Sequence, residues 1–253
     1  MATVGLLHPG EMGAALGLVL GNGDHDVLWA SSGRSEATMQ RAESAGLIDV
    51  GSVETLAERS DVILSVCPPH AAREVARSTA GAPGLFVDAN AIAPATARGI
   101  AAERDDSNFV DGGIIGSPPR QAGTTRIYLS GTSAATVAEL FEATPVDARV
   151  LSSNIGDASA VKMTYAAWTK GTAALLLAIR AVAEAEGVLE PLVEEWRLSL
   201  PDLPAAADRA ARSAHAKGWR WVGEMDEIAA TFAAADLPDG FHQAAAEMFR
   251  RAG

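Results

Sequence analysis

The sequence predicts an α/β domain built on a mostly parallel sheet, followed by an all-α domain that opens with one unusually long helix. Two observations carry this. Up to about residue 151, short apolar segments alternate with small-residue, helix-forming segments. That is the pattern of strands covered by helices on both faces. From Asp157 to Glu186 there is no proline, Gly171 is the only glycine, and Leu, Ala, Met and Lys dominate. Such a run predicts a single helix of up to about thirty residues. The expected division is residues 1–152 for the first domain and 153–253 for the second.

The elements follow in order. ATVGLL (2–7) reads as a strand and residues 11–21 as a helix. HDVLWA (25–30) is the next strand, and SEATMQRAESAG (35–46) is a helix that ends at glycine. DVILSVC (61–67) is a nearly all-apolar central strand, and GLFVDAN (84–90) is another. SNFVDGGIIG (107–116) contains one more strand, and TTRIYLSG (124–131) and ARVL (148–151) supply two late ones. After the long helix come EPLVEEWRLSL, a Pro-rich joint at PDLP, helical runs over 205–217 and 223–235, and a last helix, FHQAAAEMFRR. Binding or catalysis is expected beyond the carboxyl ends of the strands.

Composition narrows the function classes. The chain has 253 residues and a formal charge of -12, with 32 acidic residues against 20 Lys plus Arg. That sign opposes a phosphate backbone, so no nucleic-acid partner is expected. Cys67 is the single cysteine, which fits a reducing, cytoplasmic compartment. The first twenty residues lack a basic n-region, and no apolar run reads as a membrane span. The five histidines have no ligand-like spacing, so no metal is expected.

Residues 8–13 read HPGEMG after an apolar strand. A dinucleotide-binding turn carries G-x-G-x-x-G here. Its glycines serve the tight turn, the approach of the backbone to a pyrophosphate, and the packing of helix on strand. Gly10 and Gly13 hold the second and third places and His8 the first. Pro9 biases its neighbour toward extended geometry, so the strand is expected to leave through His8 without a positive φ. Phosphates would meet the backbone N–H groups around Gly10 to Met12 at the helix's positive end, with Glu11 pointing away. The bland alternative is a plain strand–helix turn that binds nothing. In WASSGRS (29–35) no Asp or Glu lies between Val27 and Ser35. Ser31, Ser32 and Arg34 suit a 2′-phosphate, so NADP(H) is expected ahead of NAD(H). A Rossmann-type domain follows as the expected fold. Cys67 reads as a small hydrophobe rather than a nucleophile, and Pro68 and Pro69 stiffen the rim where the cofactor would pass, so Cys67 and Pro68 are expected among the cofactor-binding residues. Asn90 is a candidate for the nicotinamide ribose or carboxamide, with Asp88 orienting its loop. Both could instead be turn residues before a helix begun at Pro94.

VGLLHPGEMG (4–13) resembles the opening of the 6-phosphogluconate dehydrogenase and 3-hydroxyisobutyrate dehydrogenase superfamily. VCPPH (66–70), VDANAIAP (87–94) and FVDGGIIG (109–116) resemble its later loops. GDASAVKMTYAAWTKG (156–171) resembles the start of its interdomain helix, and RWVGEMDEIAATF (220–232) resembles a branch with a carboxyl-terminal domain of the DUF1932 type. The resemblance implies a lysine on the long helix that donates and accepts the proton while hydride moves; by motif position this is Lys162. The superfamily's asparagine four residues later is Ala166 here, and Ile115 stands where it has a serine. Gly112 and Gly113 are retained, so their N–H groups are candidates to face a substrate in a more apolar pocket. Ser117 is a possible replacement hydroxyl, and Lys170 and Arg120 are possible anion anchors. The resemblance also implies a homodimer.

Three further positions bear on the substrate. Tyr165 neighbours Lys162, and Arg220 lies between Trp219 and Trp221, where it could be held rigidly enough to bind an anion. The expected function is hydride transfer between NADP(H) and a carbonyl or alcohol carbon of a small, acidic substrate. One rival is an imine reductase or reductive aminase, which Tyr165 keeps in view. Another is a non-catalytic NADPH-binding sensor or subunit.

Overall fold

The protein was described from a computed structural model covering residues 1–104 and 108–252. The chain forms two compact units, Met1–Lys162 and Met163–Gly253. The division lies ten residues beyond the one expected from the change of pattern, because the first turns of the long helix are bonded into the sheet domain.

Among the described residues the first unit holds eight strands: β1 (Thr3–Leu7), β2 (Asp26–Trp29), β3 (Ile48–Asp49), β4 (Val62–Ser65), β5 (Leu85–Asp88), β6 (Phe109–Gly116), β7 (Thr125–Ser130) and β8 (Val146–Ser152). They form one sheet in the order β3-β2-β1-β4-β5-β6-β7-β8. All neighbours are parallel except β6 and β7. Ser107, which opened the expected strand over 107–116, lies outside the described residues. The helices are α1 (Glu11–Asn22), α2 (Glu36–Ser44), α3 (Val53–Arg59), α4 (Ala72–Arg77), α5 (Pro94–Arg104) and α6 (Ala134–Glu139). The period of two along the strands sends alternate side chains to two cores. Val4, Leu6, Val62, Leu64 and Val87 pack with α1, α2 and α6 on one face. Leu7, Ile63, Phe86 and Phe109 pack with α3, α4 and α5 on the other. The pattern reading missed β3, α3, α4 and α6. Each is seven residues or shorter, too short for periodicity to declare. Their signals are local instead, such as the Ser52 side chain that accepts from Thr55 N–H to begin α3.

The long helix α7 (Asp157–Ala185) opens where expected and continues into the second unit. By length and composition it is apolar enough to cross a membrane, which corrects the reading that no run qualifies. One third of its most apolar window is buried within the protein. The second unit adds α8 (Leu189–Ser199), α9 (Leu203–Ala233) and α10 (Gly240–Ala252). The two runs expected at 205–217 and 223–235 are one continuous α9. Gly218 between them is buried against α10 near Phe249, and the packing there offsets its poor helix propensity. With few aromatic residues available, alanines fill this core: Ala207, Ala210, Ala214, Ala245 and Ala246 are all buried.

Candidate functional site

The strand order reverses between β1 and β4, the switch point at which open α/β sheets bind ligands beyond their carboxyl ends. His8 leaves the end of β1 with φ +64°, which corrects the expected extended geometry. A chain entering a helix this sharply must turn through the left-handed region. A non-glycine residue there costs about 1–2 kcal/mol. The Gly10 N–H turns back to the His8 carbonyl at 2.7 Å, so Gly10 is not itself a phosphate donor. The first turn of α1 begins at Glu11, and its N–H groups lie at the helix's positive end, which favours an anion. A Cβ on Gly10 would meet nothing within 4 Å, so the approach is open. A Cβ on Gly13 would lie 2.9 Å from the His8 carbonyl oxygen.

Around this turn the chemistry converges. His8 Nδ1 and Arg34 Nε are both buried without a hydrogen-bond partner among the described residues. Burial, and then the Arg34 charge, pushes the His8 imidazole down to about 4, so it is neutral at pH 7. Burial also lowers Arg34, which feels the Cys67 sulfur. Orphaned polar atoms at a crevice mouth are costly in isolation and are satisfied by a polar, anionic ligand. The residues therefore fit a dinucleotide. Cys67 is pushed up to about 12 by burial and the Asp88 carboxylate, so it remains a thiol and no nucleophile. Asn90 is buried and spent on structure: its Oδ1 accepts from Cys67 N–H at 2.5 Å, and its Nδ2 donates to Ser65 Oγ at 3.1 Å. It braces the turn into Pro68 and the 3-10 turn Pro69–Ala71 that follows.

The loop after β2 is tied to β3. Asp49 Oδ1 accepts from Ser31 N–H at 3.2 Å and from Gly51 N–H at 2.8 Å. Ser32 N–H donates to the Gly51 carbonyl at 2.9 Å. The segment between Val27 and Ser35 has no acid of its own, but the neighbouring strand brings one to it. Sequence proximity could not reveal Asp49; only the β2–β3 pairing, with Trp29 opposite Asp49, does so.

Lys162 is set by β6 and the start of α7. Leu7, Ser65, Asp88, Asp111 and Ser130 stand in register across five strands, a row that turns from apolar to polar. Asp111, fully buried, accepts from Ser130 Oγ (3.0 Å), Gly156 N–H (3.0 Å), Ser159 N–H (2.9 Å) and Ser159 Oγ (2.5 Å). Burial raises its pKa against the pull of these donors. Gly156, at φ +104°, makes the turn that presents its N–H. Gly112 and Gly113 are not an open loop but lie within β6, paired with Leu129 and Tyr128, and Ile115 is buried. Gly113 serves close packing: a Cβ there would lie 2.6 Å from the Ala158 carbonyl oxygen and 3.0 Å from Lys162 Cβ. The Lys162 stem therefore crosses β6 at this glycine. Burial alone pushes its ammonium down to about 8. The Asp111 cluster went unrecognised in the sequence, where its members are up to 48 residues apart.

In the second unit, Tyr165 is exposed on α7 and Ala166 is buried. Lys170 is ion-paired with Glu224, which occupies one expected anion anchor. The Arg220 guanidinium lies 5.6 Å from the centre of the exposed Trp219 ring, and Trp221 packs edge-on against Phe249. Arg120 and Ser117 are exposed in the segment after β6.

Comparison with known proteins finds matches for both ends of the chain. Residues 3–91 match the family described as NADP oxidoreductase coenzyme F420-dependent, and residues 183–252 match a domain of unknown function, DUF1932. An uncharacterised 28.5 kDa protein from Methanothermus fervidus is 32% identical over 170 residues, 67% of this chain and 66% of that one. A conserved protein of unknown function, described as structurally similar to 3-hydroxyacid dehydrogenases, is 27% identical with TM-score 0.71, over 99% of this chain and 96% of that one. The 3-hydroxyisobutyrate dehydrogenase of Mycobacterium tuberculosis shares the fold at 16% identity and TM-score 0.72, over 99% and 93%. A reductive aminase from Aspergillus terreus, solved with NADPH, does so at 16% and 0.62, over 100% and 93%.

Proposed function

We propose that this chain, which belongs with the 3-hydroxyacid dehydrogenase-like proteins that join an NADP-oxidoreductase-type domain to a DUF1932 domain, interconverts an alcohol and a carbonyl on a small acidic substrate. The fold is that of NAD(P)-dependent oxidoreductases. NADP(H) is the preferred cofactor and NAD(H) a usable one. When bound, the nicotinamide supplies or accepts hydride. The first turn of α1 receives the pyrophosphate; Ser31, Ser32 and Arg34 receive the 2′-phosphate. Lys162 moves the proton: its ammonium polarises the substrate oxygen and protonates it as alkoxide charge develops, and its free amine takes the proton back in the oxidative direction.

The observation that carries this reading is Lys162, half-buried, fixed above Gly113 and titrating at about 8. Both protonation states are then within reach near neutral pH, as an acid–base group requires. The test is turnover of purified protein with NADPH or NADP against 3-hydroxy acids, keto acids and imines. On the substrate found, Lys162→Ala is expected to lose roughly 10²–10⁴-fold in kcat, and Lys162→Arg to recover little. Reduction should decline as pH rises through about 8, where the proton donor is lost, and oxidation should rise over the same interval. A wild-type profile without that limb, or an active Lys162→Ala enzyme, rules out Lys162 as the proton carrier.

The shared fold of the reductive aminase supports a second reading, imine reduction, with Tyr165 as the acid. It predicts activity on imines alone and crippling by Tyr165→Phe rather than by Lys162→Ala.

A further inference from the structure

We infer that Asp49 sets the balance between the two nicotinamide cofactors, acting as the ribose-end carboxylate that the β2 segment itself lacks. This rests on the reading of the first unit as the cofactor domain and deepens it. Selectivity for an unphosphorylated ribose normally comes from an acid at the end of the second strand, which accepts from the 2′- and 3′-hydroxyls. Here that strand runs into Ala30, Ser31 and Ser32. The parallel pairing of β2 and β3 sets Asp49 opposite Trp29, two residues before Ser31. The Asp49 carboxylate reaches over to the Ser31 N–H, and Gly51 N–H holds it from the other side. A second tie, Ser32 N–H to the Gly51 carbonyl, closes the two loops on each other. The acid is thus presented at the same turn as Ser31 and Ser32, although 18 residues separate Asp49 from Ser31 in the chain.

Its charge state suits the part. Asp49 is exposed; desolvation is the largest single influence on it and raises its pKa, but the bonds from Gly51 and Ser31 together outweigh it and hold the carboxyl below the usual range. It is an anion throughout the physiological range. Arg34, on the same loop, acts on His8 and Cys67 at the crevice instead. The loop therefore offers a cation on its crevice side and an anion on its β3 side. The cation attracts a 2′-phosphate. The anion repels it and accepts from a ribose diol. Such a pair yields a protein that takes both cofactors in a ratio set by two charges.

Asp49→Asn separates charge from position. The amide oxygen still accepts from Ser31 and Gly51 N–H, so the loop stays in place while the negative charge is gone. Calorimetric titration of the whole chain with NADPH and with NADH, without substrate, reads the result. The expected outcome is NADPH bound roughly two- to five-fold more tightly, from relief of like-charge repulsion at an exposed site, and NADH bound several-fold more weakly. Arg34→Ala should move the ratio the opposite way. Asp49→Ala, which also frees the loop, should shift the ratio as Asp49→Asn does and weaken both cofactors. If the wild type binds both nucleotides and Asp49→Asn leaves their ratio unchanged, the assignment of Asp49 is overturned and the cofactor reading stands. If the wild type binds neither nucleotide, the cofactor reading falls and this inference with it.

Discussion

At the residue scale, His8 shows how a motif can keep its geometry without its usual residue. The first glycine of a dinucleotide turn is there because the backbone goes left-handed, and His8 adopts that conformation at φ +64° with a Cβ in place. Two effects oppose each other in His8→Gly. Relief of the left-handed strain is worth about 1–2 kcal/mol. The added freedom of glycine in the unfolded chain costs about 0.5–1 kcal/mol. Chemical denaturation should therefore find the variant between neutral and about 1.5 kcal/mol more stable. A loss larger than about 1 kcal/mol would mean that packing of the imidazole, rather than the turn, governs this position. Cys67 makes the complementary point. A lone cysteine beside a crevice invites a nucleophilic reading, yet burial and Asp88 keep it a thiol, and thiol-specific reagents should label it slowly at neutral pH.

At the scale of elements, the junction of β6 and α7 determines where Lys162 stands. Asp111 gathers two backbone N–H groups and the Ser159 hydroxyl at the start of α7, together with Ser130 from β7. An anion at a helix N-terminus is favoured by the exposed amides and the helix dipole. Asp111→Ala leaves those donors buried and unpaired, at about 1–3 kcal/mol each. The expected loss is roughly 3 kcal/mol or more, against about 1 kcal/mol for Ser159→Ala, which spares the backbone bonds. Equilibrium unfolding of the two variants checks this; equal and small losses would show that packing alone holds α7. Gly113→Ala is expected to cost about 1–3 kcal/mol by overpacking, because the new Cβ would press on the Ala158 carbonyl rather than on a yielding side chain.

At the scale of the whole molecule, α7 leaves an apolar stripe uncovered. Tyr165, Trp168, Leu175, Ile179 and Val182 recur at three- and four-residue steps or their sum, and all five are exposed, Trp168 to 73%. That spacing is the seam of a helix that expects another helix. The family resemblance implies a homodimer, and the prediction at this scale is that a second copy of this chain covers the stripe. Sedimentation equilibrium is expected to give twice the 26.1 kDa chain mass, and a Trp168→Glu, Val182→Glu double variant is expected to give the chain mass. A monomeric wild type at tens of micromolar would remove the dimer and leave α7's outer face without an assigned cover.

The sequence by itself determined the layered α/β domain, the long helix and the helical second half, because these rest on periodicity and on the placing of Gly and Pro. It also marked residues 8–13 as a candidate nucleotide turn, which is local in the chain, while Lys162 was singled out by the family resemblance rather than by spacing. Tertiary structure decided what long-range pairing alone can bring together. The φ of His8 follows from the angle between β1 and α1, which Pro9 as a neighbour could not foretell. Asn90, a cofactor candidate in sequence, also acts as a brace, because Ser65 ends the adjoining strand β4 and Cys67 follows it. The Gly112–Gly113 segment became a strand under a helix because β7 pairs with it and α7 descends on it. Asp111 found Ser159, and Asp49 found Ser31, through the sheet. A hydrogen bond or a close packing contact depends on separations of a few ångströms in space. Those separations are fixed by strand order and register, and residue types in sequence constrain them only after the sheet has formed.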